Sequence, residues 1–213
     1  MKKVSYIIRH PLSIFRYFMS FYPPKIDEKL KRPQSVGKSK DANAVGTGAS
    51  FVCGTFVRFF LRIETKTKEI GEAKYKTSGC GFVVAAAEVL CGKIVGRKLV
   101  ELHGLNKSEF EREIEDELKK FPENRAHCLE ICLESLQAAF ANFRAAQIEE
   151  FVGEKALICT CFGVSEEAIE NLIREKSLST IEEVTENCSA GGGCGSCQPL
   201  IQEILDIQKF ENF

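Results

Sequence analysis

Several features that would suggest a function directly are scarce or missing in this sequence. Charge of either sign is nearly balanced, with Lys+Arg 29 against Asp+Glu 30 and a net charge of -1 over 213 residues. No surplus of positive charge is available to neutralise a phosphate backbone, so nucleic acid is not expected as a partner. Long apolar runs are also lacking. Arg9, His10, Pro11 and Arg16 interrupt the first apolar segment and Glu88 interrupts the one beginning at Phe82, so no stretch reaches the roughly eighteen residues a membrane-spanning helix needs. No clean secretory signal is found. The chain shows no Ser/His/Asp triad, phosphate-binding glycine motif or dinucleotide fingerprint, and its SGCG and GGGCGSC loops lack the spacing of those motifs. A hydrolase or a nucleotide enzyme is therefore not expected.

Cysteine, by contrast, is plentiful, with 10 residues in a chain that is otherwise ordinary at 44% hydrophobic and 28% charged. That density falls short of a disulfide-stapled secreted scaffold, so reduced thiols and a cytoplasmic location are expected. The length suits one large domain or two small ones. Residues 1–40 hold ten Lys or Arg against Asp27 and Glu28, a net of +8. Residues 1–21 therefore read as a basic, poorly ordered leader, a composition also compatible with organelle targeting.

A folded region is expected to begin at the small-residue loop NAVGTG, 43–48. Val57, Phe59, Leu61 and Ile63 alternate with other residues at the period of a half-buried strand. TKTK at 65–68 supplies a turn, and Ala73, Tyr75 and Thr77 form the returning strand. Phe82 to Leu90 reads as a buried helix. Ser108-x-x-Glu111 reads as a capping box opening a charged helix to Lys120, whose acidic run 111–117 is a solvated face. Apolar residues from Leu129 to Phe143 recur at helical spacing within a long helix over 128–150, and Phe151-Val152-Gly153 marks a boundary. Beyond it, helices are expected near Ser165, after the capping box Ser179-x-x-Glu182, and from Pro199.

Two groups of cysteines stand out. Cys159 and Cys161 form a C-x-C pair, and Cys194 and Cys197 a C-x-x-C pair inside GGGCGSC. Four thiolates on two loops, one of them rich in glycine, suit a [2Fe-2S] cluster. A structural zinc site and a dithiol redox switch are the competing readings, although zinc pairs usually have two to four intervening residues. Cys197 precedes a helix N-terminus, which is expected to lower its pKa. The second group, Cys53, Cys80 and Cys128 with His127 beside it, is spread too widely for any spacing rule. It could ligate iron or zinc, and each cysteine taken alone could equally be core. Cys91 and Cys132 read as small core hydrophobes, and Cys188, six residues before Cys194, as a substitute ligand at most. His10 and His103 are assigned no site.

The segments NAVGTGASFVCG, AKYKTSGCGFVVAAAEVL and FPENRAHCLEICLESL resemble the amino-terminal domain of the NifU/IscU iron-sulfur scaffold family. ICTCFGVSEEAIENLIREKSLSTIEEVTENCSAGGGCGSCQPLI resembles the central [2Fe-2S] domain of NifU, akin to bacterioferritin-associated ferredoxin. No counterpart to that family's third C-x-x-C domain is present in these 213 residues. The resemblance implies an α+β scaffold domain over 22–152, a small antiparallel sheet packed with helices, and a small all-α domain over 153–213. It implies assembly of a transient iron-sulfur cluster on Cys53, Cys80 and Cys128 with His127, and a permanent [2Fe-2S] cluster on Cys159, Cys161, Cys194 and Cys197. It further implies a non-enzymatic carrier working as a homodimer with a NifS/IscS-like cysteine desulfurase and recipient apo-proteins, with zinc an alternative occupant of the scaffold site. A zinc-bound regulatory protein and a [2Fe-2S] electron-transfer partner remain the alternatives. Where the family has Asp, this chain has Thr55, so slower cluster release is expected. Arg125 replaces the family Lys, and 122–125 reads Pro-Glu-Asn-Arg instead of the chaperone-docking Pro-Pro-Val-Lys, so chaperone dependence is not expected.

Overall fold

The computed structural model describes residues 21–102, 107–119, 121–149 and 156–211. The basic leader, His10, His103 and the 151–153 boundary lie outside these residues. The first domain is built on a three-stranded antiparallel sheet, β1 (Ala44–Ala49), β2 (Phe56–Ile63) and β3 (Ile70–Thr77), in that order. In β2 and β3 the expected alternation holds. Val57, Phe59, Leu61 and Ile63 are buried, and Tyr75 and Ala73 face the same core. Each fully buried large side chain of this kind stabilises the fold by about 2–3 kcal/mol.

β1 was expected as a loop, because Gly46 and Gly48 have little intrinsic preference for a strand. They are there because a helix lies directly on them. A Cβ on Gly46 would sit 2.1 Å from the backbone nitrogen of Ala139, in the long helix α5 (Ala126–Glu149). The contact is fastened by Ser135, fully buried, whose hydroxyl reaches the carbonyl oxygens of Gly46 at 3.0 Å and Val57 at 2.9 Å. Asn142 Oδ1 accepts from the backbone N–H of Val45 at 2.9 Å.

Helix α1 (Pro24–Lys31) packs against α2 (Gly81–Ile94), which is apolar on nearly every side and accordingly buried. Its one internal acid, Glu88, accepts from the N–H groups of Gln34 (2.7 Å) and Ser35 (3.0 Å) and from the Tyr75 hydroxyl (3.1 Å). A short α3 (Leu99–Leu102) and α4 (Lys107–Leu118) complete the domain. α4 is already helical at Lys107, one residue before the Ser108 expected to open it. Its acidic side chains include Glu113 and Glu117, which pair with Lys93, and Glu117 also pairs with Lys29.

The second domain is mainly helical, with α6 (Glu166–Lys176), α7 (Ile181–Cys188) and α8 (Gln198–Glu211). A two-stranded ribbon, β4 (Leu157–Cys159) with β5 (Val164–Ser165), departs from the all-α expectation and carries the first cysteine of the C-x-C pair. Ser165 caps α6, accepting from Ala168 N–H at 3.2 Å. The cap of α7 is displaced by one residue from the expected one. Thr180 and Glu183 form the reciprocal box, and Ser179 precedes it. The domain rests on the first through close contacts at Gly163 and Gly192 and a hydrogen bond from Lys98 Nζ to the Glu186 carbonyl oxygen at 2.9 Å.

Candidate metal centres

Three separate elements deliver the thiols of the first site. Cys53 lies in the tight turn after β1, closed by hydrogen bonds between Ser50 and Thr55 and between Gly54 and Ser50. Cys80 is the residue before α2, and Cys128 lies in the first turn of α5 next to His127. His127 Nε2 is 3.6 Å from both Cys53 Sγ and Cys128 Sγ, and Cys128 Sγ is 3.8 Å from Cys80 Sγ. Residues 75 positions apart in the chain thus converge on one imidazole.

Their environments are opposed. Cys53 is exposed, flanked by the fully exposed Phe51 and Val52. Hydrogen bonds from the Thr55 side chain and backbone, then from Ser50 and His127, bring its thiol down to about 6. Burial, followed by the neighbouring Cys80, pushes Cys128 up to about 12. One sulfur is ready as a thiolate near neutral pH, and the inner one gives up its proton only to a metal or another strong electrophile. The sequence marked Thr55 only as the loss of an acid. The structure gives it a second character, since it is a hydrogen-bond donor to Cys53. No local motif announces that role, because a hydroxyl two residues from a cysteine is common.

In the second site Cys159 ends β4, Cys161 follows in the turn, and Cys194 and Cys197 come from the loop between α7 and α8. Cys161 Sγ and Cys194 Sγ are 3.5 Å apart, and Cys197 hydrogen-bonds Cys159. The four thiols therefore meet as two pairs, each pair joining the two loops. Cys159 and Cys197 are buried while Cys194 is exposed. Cys194 is brought down to about 7 by Ser196, whose Oγ is 3.3 Å away. Cys197 does immediately precede α8, but burial and Cys159 raise its thiol to about 11, overriding the backbone donors that were expected to lower it.

Two features test whether a [2Fe-2S] cluster fits these residues. Gly193 leaves a cradle that a side chain would fill, since a Cβ there would lie 3.0 Å from Cys161 Cβ and 3.1 Å from its sulfur. At the root of the same loop, Ser189 has a buried hydroxyl without a hydrogen-bond partner among the described residues. Four thiols and no competing acid, with a backbone opened around them, match the donor set of a two-iron cluster. The residues fit.

The remaining cysteines are placed otherwise. Cys132 is fully buried with its sulfur 3.2 Å from the Cys128 carbonyl oxygen, and Cys91 is equally buried on α2, as core positions. Cys188 approaches its own helix carbonyl at Val184, 3.2 Å away. Among the described residues, no group of three or more His, Cys, Asp or Glu is gathered around a single metal-sized point, and none of their helices is long and apolar enough to cross a membrane.

Comparison with known proteins separates the same two regions. The model of the NifU-like N terminal domain matches residues 21–150, and that of the BFD-like [2Fe-2S] binding domain matches residues 157–207. The nitrogen fixation protein NifU of Azotobacter chroococcum is 32% identical over 86% of the chain and 58% of its own length. That of Nostoc sp. is 34% identical over 87% and 60%. The iron-sulfur cluster assembly scaffold protein IscU of Aquifex aeolicus is 29% identical over 72% of the chain and 94% of its own length. The chain thus spans about three fifths of the NifU relatives it matches.

Proposed function

The chain belongs to the NifU-like N-terminal domain family, and from that premise we propose that it is a scaffold for iron-sulfur cluster assembly, passing clusters to recipient apo-proteins and carrying a second, permanent [2Fe-2S] cluster. The observation that supports the reading most is the run of contacts in which His127 lies 3.6 Å from both Cys53 and Cys128, and Cys128 lies 3.8 Å from Cys80.

The chemistry follows from the site. Sulfur arrives from a cysteine desulfurase at an exposed thiolate, and in the first site Cys53 is the exposed thiol with a lowered pKa. Iron is then gripped by soft sulfur donors with one imidazole, a set that suits iron and also zinc. An edge open to solvent at Cys53 lets an assembled cluster be surrendered to the thiols of an acceptor. In the second site Cys159, Cys161, Cys194 and Cys197 would hold the resident [2Fe-2S] group, which exchanges one electron when bound. Cys159 and Cys197 are buried, and the glycine cradle would give that group room.

Anaerobic reconstitution with ferrous iron, L-cysteine, a cysteine desulfurase and a dithiol reductant, which supplies the electrons that take persulfide sulfur to sulfide, tests the proposal. The wild-type chain is expected to gain more iron and sulfide than the second site alone can hold, and to hand the excess to an apo-ferredoxin. Uptake of zinc alone, or handover undiminished by Cys53→Ala, would sink the scaffold reading, the latter in favour of an electron carrier.

A further inference from the structure

One buried charge is unused by the proposed function. Lys68 is 3% exposed and sits at φ 57 in the turn between β2 and β3, in the left-handed region that non-glycine residues rarely adopt. Its ammonium donates to Gln147 Oε1 at 3.0 Å and lies 5.4 Å from the centroid of the Phe143 ring. A neutral amide and a ring face are poor compensation for taking an ammonium out of water, and among the described residues no carboxylate pairs with it.

The second domain lies on the other side of this ammonium. Lys68, Gln147, Gly163, Val164 and Cys188 line one cavity of about 530 Å³ between the domains, together with Lys66 and Glu175 among others. Burial lowers the pKa of the ammonium, and Val164 on the cavity wall pairs with Cys159 across the β4–β5 ribbon. The second domain is held against it at backbone distance. A Cβ on Gly163 would lie 2.4 Å from Gln147 Cβ, and one on Gly192, in the glycine loop, 2.3 Å from Val100 Cγ2.

We propose that Lys68 is a tuning charge lent by the first domain to the cluster of the second, favouring its reduced form and so making the two domains dock more tightly when that cluster is reduced. This rests on the reading that Cys159, Cys161, Cys194 and Cys197 hold a [2Fe-2S] group. Two ferric ions, two sulfides and four thiolates carry a net charge of about -2, and about -3 once one electron from an external low-potential donor has converted one iron to the ferrous state. The proposed step transfers one electron and no proton, with Lys68 acting as an ammonium throughout. A fixed cation facing the ribbon that carries Cys159 would stabilise the more negative state more. By linkage, reduction then strengthens the contact that brings the cation there to the same extent.

The test is an anaerobic spectroelectrochemical titration of the full chain, with dithionite as reductant and Cys53→Ser in every sample to keep the first site from contributing. Lys68→Met is expected to shift the midpoint potential downwards and Lys68→Arg to restore it, with the shift persisting in high salt because a buried charge is poorly screened. Lys66→Met, on an exposed neighbour, should give a smaller shift that salt removes. Hydrogen exchange on the unsubstituted Lys68 chain supplies a readout that needs no substitution there, with amides of α3 and β5 better protected after reduction. An unchanged potential in Lys68→Met, an equal fall in Lys68→Arg, or identical exchange in both redox states would overturn the inference while leaving the cluster in place. A chain showing no [2Fe-2S] absorption would overturn the cluster reading and this inference together.

Discussion

The two thiol sites use one electrostatic plan and opposite enclosures. Each contains an exposed thiol of lowered pKa, Cys53 at about 6 or Cys194 at about 7, and a buried one pushed up, Cys128 at about 12 or Cys197 at about 11. In the first site the low thiol sits on a turn with exposed apolar residues, and the His127 imidazole lies 3.6 Å from it. In the second, two loops close as paired thiols around a glycine cradle. Thiol acidity therefore does not distinguish delivery from retention. The distinction lies in how much backbone surrounds the sulfur.

The sharpest way to break that comparison is to remove one site at a time. Cys53→Ala should reduce cluster handover to background while the visible spectrum of the second domain survives. Cys161→Ser should do the reverse, erasing that spectrum with assembly on the first site retained. Parallel absorption spectra and a transfer assay check both. If either substitution disables both sites equally, the two are one functional unit and the contrast between them fails.

Packing offers the next largest effect. In Gly46→Ala the new methyl would collide with rigid α5 backbone, and the loss of stability should be about 3 kcal/mol or more, seen as a lower unfolding midpoint by circular dichroism. In Gly193→Ala the new methyl meets only the Cys161 side chain at 3.0 Å. Its expected signature is a chain that folds normally but binds less iron in the second site, measured as iron and sulfide per chain. Equal destabilisation by the two would mean that the glycine loop is built for folding more than for the cluster.

The same contrast governs what the sequence could reveal. β2 and β3 were legible because their buried faces follow period two, and the meeting of the second site's cysteines because each pair is close in sequence. β1 was not, since its glycines serve a helix almost 90 residues away. The box at the start of α7 was displaced by one residue because Ser179 and Thr180, like Glu182 and Glu183, offer the same chemistry in adjacent registers. Lys68 was hidden inside a polar tetrapeptide that reads as an ordinary turn. The first site became legible only through resemblance, because its spacing encodes nothing and its geometry exists only once three elements have packed.

Acidity itself can be probed in the reduced, metal-free chain by alkylation with iodoacetamide between pH 5 and 9, followed by peptide mass analysis. A lowered pKa means that the thiolate persists above that value and is lost as pH falls through it. Labelling of Cys53 should therefore rise with a midpoint near pH 6, and that of Cys194 near pH 7, while Cys128 and Cys197 stay unlabelled across the range. Early labelling of Cys128 would contradict the burial that separates inner from outer thiols.

The smallest effect isolates Thr55. Thr55→Val keeps the shape of the side chain and removes the hydroxyl that does most to lower the Cys53 pKa, while the backbone N–H and Ser50 remain. The midpoint for Cys53 should move upward, and its alkylation at pH 7 should slow by roughly 3- to 10-fold. Cys194, whose donor is Ser196, should keep its rate and so serves as the internal control. A slowing of both thiols would indicate a global change in the chain, and no slowing of either would leave the backbone donors as the cause of the low Cys53 pKa. Only the selective result makes Thr55, which stands where an acid was expected, the residue that prepares the open site for sulfur.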